Sequence, residues 1–407
     1  MADPVSVVKR FPAIPSTLFF RSTMTPLARV LWKPKLIGQE NFPRKGPCFI
    51  YGNHSNRWDP FMINCFTPLL HPTAGVMTRE FFRSKLVGGL FTGVGILPTS
   101  KRLAEPYLIR HILRLLKDER AIVIFPEGGA RWDGRPLEWI PSTVKLFVRS
   151  GVPIHPIRIH GSYASFPRWA DHPRPSNVVI EALPPITFER GESVESAIAR
   201  LRPLTDIDES LTEERYLPSR AYKPAAGVQR ILYRDPWDDS GQIVPVNGQN
   251  AAPPSGRNRL QIMPDATIRN DSDGSQFHIA DLYARIRAMP LPGTASHRIE
   301  NTVSVHTETE FPLLSEVGPC KAVLADDHVE VSGGTFQRVI DFDDVIYCDI
   351  ERNFKLQFYL RTPGERMIQL AFDGEGSALQ WKDAIERVRP GLVGIAAADT
   401  RSSPDGE

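Results

Sequence analysis

Two hydrophobic periods alternate through the first half of the chain. The apolar runs Cys48–Gly52 (CFIYG) and Ala121–Phe125 (AIVIF), and the largely apolar Pro153–Ile159 (PIHPIRI) and Val178–Leu183 (VVIEAL), read as buried strands. Between the first two, Leu103–Arg120 sets Leu108, Ile109, Ile112, Leu113, Leu115 and Leu116 against Arg110, Arg114 and Lys117, the pattern of an amphipathic helix. Strand-helix-strand alternation of this kind predicts an α/β layer architecture.

The texture changes after about residue 203. Residues 235–275 are dense in Pro, Gly, Asn, Asp and Ser without sustained periodicity, which predicts a linker or a loop-rich module. From about 300 to 372 short strands recur (CKAVLA, HVEVSG, QRVIDF, DVIYCDI, KLQFYLRT, RMIQLAF), followed by a helix over Gly376–Arg387. That succession predicts a small β-barrel or sandwich closed by one helix. The final 17 residues, 391–407, read as disordered.

The first 45 residues form a segment of their own. Leu18, Phe19, Phe20, Leu27, Val30, Leu31 and Trp32 stand among cations, with eight basic residues against two acidic ones. The segment fits an amphipathic element lying in a membrane interface, and equally an N-terminal helix packed on its own domain. Pro26 predicts two short helices there in place of one.

Composition narrows the field. With 407 residues, two or three domains of ~150 residues are expected. Hydrophobic residues at 41% and charged residues at 24% exclude a disordered or fibrous chain. Four cysteines without paired spacing exclude a disulfide framework or a cysteine zinc finger. The net charge of +2 hides an asymmetry: residues 1–200 carry 27 Lys and Arg against 15 Asp and Glu, while residues 201–407 carry 22 against 32. A basic first half suits an anionic partner such as a phosphorylated substrate or an acidic membrane surface. Its cations are scattered and no reader motif accompanies them, which argues against nucleic acid. The longest uncharged stretch, Pro60 to Thr78, is 19 residues interrupted by Pro68, Pro72, His71 and Asn64, so no spanning helix is expected. Lys9 and Arg10 are followed by Pro12 and Pro15 where a signal peptide needs an apolar core, so none is expected.

Candidate chemistry begins where the first strand ends, at Gly52-Asn53-His54-Ser55-Asn56-Arg57-Trp58-Asp59-Pro60. His54 and Asp59 would sit about 140° apart on a regular helix, so they converge only across a turn. Pro60 suits the first helical position, with the turn before it. A carboxylate there would fix the imidazole tautomer and leave the other ring nitrogen to take a proton. The same residues also fit Asp59 as a simple helix N-cap and His54 as a buried polar side chain. The second strand runs directly into Phe125-Pro126-Glu127-Gly128-Gly129-Ala130-Arg131, in the position where α/β sheets bind ligands.

His-(four residues)-Asp after Gly-Asn, Phe-Pro-Glu-Gly about 70 residues later, and Val152-Pro153-Ile154-His155-Pro156-Ile157 resemble the motifs of the PlsC-type glycerolipid acyltransferases. The resemblance covers roughly residues 15–190. It implies His54 as general base toward an acceptor hydroxyl, Asp59 as the group orienting it, and Glu127 and Gly128 as shaping the acceptor site. Gly95 through Arg102 matches the block that places a basic residue near the acceptor phosphate, which implies Lys101 and Arg102 there. The family carries Arg where this chain has Ala130. Arg131, one residue on, and Arg135 are the cations available to replace it. The implied reaction moves a fatty acyl group from an acyl thioester, acyl-CoA or acyl carrier protein, to a lysophospholipid. Lysophosphatidic acid is the expected acceptor, no metal or redox cofactor is implied, and the cytoplasmic face of a membrane is the expected peripheral location. Another lysolipid or hydroxylated acceptor, and a non-catalytic membrane lipid-binding module, are the alternatives.

More faintly, the C-terminal half resembles extensions of some bacterial members of that family, a zinc ribbon followed by a pleckstrin-homology-like barrel. No cysteine lies between Cys65 and Cys320, so a metal site in the ribbon is not expected. The expected organisation is a docking segment over 1–45, an acyltransferase α/β domain over 46–202, a linker or degenerate ribbon-like module over 203–299, a small β domain over 300–390 and a tail over 391–407.

Overall fold

The computed structural model describes residues 12–99, 106–189, 191–239, 241–311, 313–372 and 376–392. The chain divides into two units, Met1–Ile286 and Arg287–Glu407.

The first unit opens with two helices, α1 (Ile14–Ser22) and α2 (Met24–Trp32). Their break falls at Thr23, and Pro26 sits in the first turn of α2, where a helix needs no backbone donor. Seven strands follow: β1 (Lys35–Ile37), β2 (Cys48–Gly52), β3 (Ala74–Thr78), β4 (Ile96–Thr99), β5 (Ala121–Val123), β6 (Ile154–His160) and β7 (Val179–Ala182). They form one sheet in the order β1-β7-β6-β2-β5-β3-β4, parallel at every pairing except β6 with β7. Every residue of β2 is buried, as expected of a central strand covered on both faces.

The helices of this unit are α3 (Asp59–Ile63), α4 (Lys85–Val94), α5 (Pro106–Lys117), α6 (Pro141–Ser150), α7 (Ser162–Ser165) and α8 (Val194–Thr205). On α5, Ile112, Leu115 and Leu116 recur at the helical period and pack into one core with Phe49, Ile122, Val144, Phe147, Ala197 and Leu201. Helix and strands therefore arise where the hydrophobic pattern places them.

Of the two expectations for residues 203–299, a linker or a degenerate ribbon-like module, the segment is a folded module and not an open linker. Single 3-10 turns at Glu209–Leu211, Glu214–Tyr216 and Val228–Arg230 lead into β8 (Val244–Pro245), β9 (Asn250–Ala252), β10 (Leu260–Ile262), β11 (Thr267–Asn270) and β12 (Gln276–His278). These strands form an antiparallel sheet in the order β12-β11-β10-β9-β8. Ile231, Leu232, Ile243, Leu260, Ile262 and Ile268 are fully buried, so this segment has its own apolar core despite its turn-rich composition. It belongs to the first unit, and the chain divides in the last turn of α9 (Ile279–Ala288), well beyond residue 202.

The second unit is β13 (Ile299–Glu308), β14 (Ser315–Leu324), β15 (His328–Gly333), β16 (Phe336–Asp341), β17 (Val345–Glu351), β18 (Lys355–Leu360), β19 (Met367–Ala371) and α10 (Ala378–Val388). All seven strands are antiparallel neighbours in the order β16-β15-β14-β13-β19-β18-β17. Helix α10 is capped by Ser377, whose hydroxyl accepts from the Leu379 and Gln380 amides. Its Trp381 is fully buried against Phe372 and donates to Asn301 Oδ1 at 2.8 Å. Most of the expected tail, 393–407, lies outside the described residues.

Candidate active site

Three adjacent parallel strands, β5, β2 and β6, deliver three loops to one edge of the sheet. Ile50 is paired with Val123, so His54 and Glu127, each four residues on, emerge side by side. Ile157 is paired with Gly52, and β6 then runs to Gly161 and α7. Gly52 is required by this closeness, since a Cβ there would stand 2.6 Å from the Ile157 carbonyl oxygen.

The turn between β2 and α3 folds around one carboxylate. His54 Nδ1 lies 2.9 Å from Asp59 Oδ2. The same oxygen accepts from the Ser55 and Asn56 amides at 3.1 and 3.0 Å, and Asp59 Oδ1 accepts from the Ser162 hydroxyl. Asp59 is fully buried, and four donors satisfy it. Asp59 is the first residue of α3 and accepts from amides that precede the helix, so it closes the turn and holds the imidazole without acting as an N-cap. A carboxylate on Nδ1 fixes the proton there and leaves Nε2 as a lone-pair base. No described residue bonds Nε2. The His54 ring lies flat on Phe125, with centroids 4.2 Å apart and planes 9° apart, and 17% of its side chain is exposed. The imidazole is therefore fixed by a carboxylate at one nitrogen and by a ring on one face, with its second nitrogen open.

The Glu127–Arg131 loop closes the other side. Arg131 donates its backbone N–H to the His54 carbonyl at 3.1 Å, which ties the two motif loops together. Its guanidinium binds Glu127 with two 2.8 Å bonds, and Nη1 reaches the Ile207 and Gly134 carbonyls at 2.5 and 3.2 Å. Arg131 has no exposed surface, so the cation expected to meet a phosphate is spent inside the protein. Glu127 likewise faces inward, accepting from Arg131 and from the Leu137 amide. Gly128 makes the turn, with φ at +70° and Ile140 Cδ1 2.4 Å from where a Cβ would lie. Arg135 is paired with Asp281 at 2.7 Å and with the Ala280 carbonyl. Lys101 and Arg102 lie outside the described residues.

Two groups at this edge were not singled out from the sequence. Arg168, half-buried in the loop after α7, donates to the Ala130 carbonyl at 2.9 Å, with its guanidinium over Trp132. Glu209, from the segment expected to be a linker, is buried beneath the His54 turn. Its Oε2 accepts from Asn53 Nδ2 at 2.9 Å and from the Ser55 hydroxyl, and its Oε1 accepts from the Tyr163 amide at 2.9 Å. Burial pushes this carboxyl up to about 7, with the Asp59 charge adding to the rise and Arg131, Ser55 and the Tyr163 amide opposing it.

A family model described as Acyltransferase matches residues 33–160, which hold both motif loops and end at the last residue of β6. These residues form an acyltransferase domain. The 1-acyl-sn-glycerol-3-phosphate acyltransferase of Pseudomonas aeruginosa is 28% identical over 197 residues, covering 47% of this chain and 74% of that protein. The enzyme of the same name from Limnanthes douglasii is 27% identical over 159 residues, covering 38% of this chain and 55% of that protein. A solved relative, the 1-acyl-sn-glycerophosphate (LPA) acyltransferase PlsC from Thermotoga maritima, is 20% identical with a TM-score of 0.38, over 50% of this chain and 81% of that one. In the acyltransferase domain of this chain, the sheet edge after β2, β5 and β6 is the site of the imidazole–carboxylate pair.

Proposed function

We propose that the chain moves a fatty acyl group from an acyl thioester, acyl-CoA or acyl carrier protein, to the hydroxyl of 1-acylglycerol 3-phosphate, giving phosphatidic acid. The observation that carries this reading is the His54 ring, held by Asp59 at Nδ1 and open at Nε2 beside the Glu127–Arg131 loop. The names of the curated relatives support the acceptor class.

In this mechanism His54 Nε2 takes the acceptor hydroxyl proton as the oxygen attacks the thioester carbonyl. The new C–O bond forms, the C–S bond breaks, and the imidazolium returns its proton to the leaving thiolate. Asp59 stabilises the imidazolium between those two transfers. No further cofactor enters the balance.

One apolar surface of the first unit supports membrane association. Ile14, Leu18 and Phe19 on α1, Leu27 and Val30 on α2, and Leu69, Leu70, Phe81, Leu86 and Val87 beyond them are exposed. Arg21 binds the Asn64, Thr67, Pro68 and Leu69 carbonyls, and the buried Phe20 and the exposed Phe81 both meet Phe91, one tilted and one edge-on, so α1, the loop after α3 and α4 are neighbours here. Exposed apolar side chains on neighbouring elements, with the Arg21 and Arg29 guanidiniums bound to the Asn64 and Cys65 carbonyls between them, suit the interface of an anionic bilayer. No helix among the described residues is long and apolar enough to cross a membrane. For the second unit, seven antiparallel strands and a closing helix support a pleckstrin-homology-like reading.

Acyl transfer from labelled acyl-CoA to lysophosphatidic acid in anionic vesicles tests the proposal, with wild type beside His54→Ala. Loss of the base is expected to lower the rate ~10²–10⁴-fold. Equal rates from both proteins would sink the assignment of His54.

A further inference from the structure

We infer that Glu209 is a positioning residue of this site, a buried carboxylate that fixes both residues flanking His54 and the turn that supplies Ser162 to Asp59. It lies outside residues 33–160, the part of the chain that matches the acyltransferase model. All three of its side-chain bonds go to the immediate neighbours of the dyad. Asn53 and Ser55 enclose His54 in sequence, and Tyr163 follows Ser162, the hydroxyl donor to Asp59.

The simpler role, fastening the segment after α8 to the sheet, is already filled by other bonds. Arg158 Nε on β6 holds the Leu204 carbonyl in the last turn of α8 at 2.6 Å, and the loop after β5 holds the segment beyond it, through Arg131 Nη1 to the Ile207 carbonyl and the Glu209 backbone N–H to the Gly134 carbonyl at 3.0 Å. The side chain of Glu209 is not needed for that attachment. It instead turns inward to a place where a carboxylate is costly to bury and stays there because three donors converge on it. Asn53 uses the rest of its amide to pair with both backbone groups of Ile159, at 2.8 and 2.9 Å. Asn53 thereby extends the β2–β6 pairing by one residue. Glu209 completes that amide, so the direction in which the chain leaves β2 toward His54 depends on it.

The charged and titratable groups facing Glu209 are Arg131 from the loop after β5, Asp59 from α3 and Tyr163 from α7. A neutral amide in its place cannot satisfy the same partners. Whichever way the side-chain amide of the Glu209→Gln variant is turned, its NH₂ faces a donor, Asn53 Nδ2 on one side or the Tyr163 N–H on the other.

The inference rests on the acyl-transfer reading only for its kinetic arm. Wild type, Glu209→Gln, Glu209→Ala and, as a control, His54→Ala are compared by acyl transfer to lysophosphatidic acid and by the downfield proton resonance of the His54 Nδ1–H···Asp59 bond. Expected for Glu209→Gln are a kcat lowered ~10–100-fold, KM for both substrates within about twofold of wild type, and a His54 proton resonance shifted or lost to exchange. Should Glu209→Ala fail to fold, the isosteric Glu209→Gln variant still decides. A folded Glu209→Gln protein with wild-type kcat and an unmoved resonance overturns the inference. A wild type inactive toward lysophosphatidic acid overturns the proposed acceptor, and the resonance then decides for or against Glu209 without it.

Discussion

The Arg131 guanidinium closes on the Glu127 carboxylate through two parallel hydrogen bonds, Nε to Oε2 and Nη2 to Oε1, both 2.8 Å long. Neither side chain reaches solvent, at 0% and 1% exposure. Arg131→Ala would leave a buried carboxylate without its counter-ion, a loss of ~3–5 kcal/mol of stability. Arg131→Lys should recover little of it, since an ammonium cannot make the paired contact. Urea unfolding of the two variants checks this. A phosphate ligand at position 131 would instead show wild-type stability with a raised acceptor KM.

Glu209 predicts an unusual pH dependence of stability. Its carboxyl is raised from 4.5 to about 7 in the folded protein, mainly by burial. The folded state therefore binds the proton more tightly than the unfolded state. The contribution is fully present below pH 4.5 and is lost as pH rises to about 7. At ~1.4 kcal/mol per unit it is on the order of 3 kcal/mol. Of the charges facing it, Asp59 moves that midpoint up and Arg131 moves it down. Between pH 4.5 and 8, the unfolding free energy of wild type should fall by about that amount relative to Glu209→Gln, which cannot titrate there. Parallel curves for the two proteins would refute the titration.

Four of the seven strands of the first sheet (β2, β5, β6 and β7) and the dyad were legible because each is local, whereas β1, β3 and β4 are three to five residues long and show no pattern that marks them as strands. β2 and β5 are apolar runs ending shortly before His54 and Glu127, and parallel pairing of neighbouring strands brings those ends together. Glu209 was not legible. It stands 154 residues from Ser55, in the acidic stretch Asp206–Glu214, where a charge run reads as a solvated face. Arg131 was recognised as a cation near the site, but its inward direction depends on Ile207 and Gly134, which no local pattern encodes. The five-stranded sheet of 244–278 was missed for a different reason. Its strands are two to four residues long, too short for a period to register among the prolines and glycines between them. β13 escaped for another reason: on its inward face Asn301 and Thr307 stand where apolar residues are expected, which leaves only Val303 and Val305 in clean alternation.

The exposed apolar face of α1, α2 and α4 predicts a separable defect. Val30 and Leu86 are 71% and 75% exposed, so replacing them with Ser removes little packing from the folded protein. Each loses on the order of 1 kcal/mol or more of transfer into an interface. The double variant Val30→Ser with Leu86→Ser should co-sediment with anionic vesicles ~10-fold or more weakly, at an unchanged melting temperature. Undiminished co-sedimentation would remove this face from the docking surface.

Arg168 carries the last prediction. The Arg131 guanidinium is bound to Glu127 and that of Arg135 to Asp281. Arg168 is half-buried and bonded to the backbone of Ala130, one residue before the amide that grips the His54 carbonyl. Its guanidinium lies over Trp132, which orients a planar fork of the shape that matches phosphate oxygens. A charge-assisted pair of this kind is worth ~1.5–3 kcal/mol. Arg168→Gln should therefore raise KM for a phosphate-bearing acceptor roughly 10–100-fold while kcat stays within a few-fold of wild type. The same variant should leave KM for the acyl thioester and the unfolding midpoint nearly unchanged. An acceptor whose headgroup lacks the phosphate should lose nothing by the substitution, and comparing the two acceptors assigns the effect to the charge. Equal losses for both would instead make Arg168 a support of the Ala130 loop.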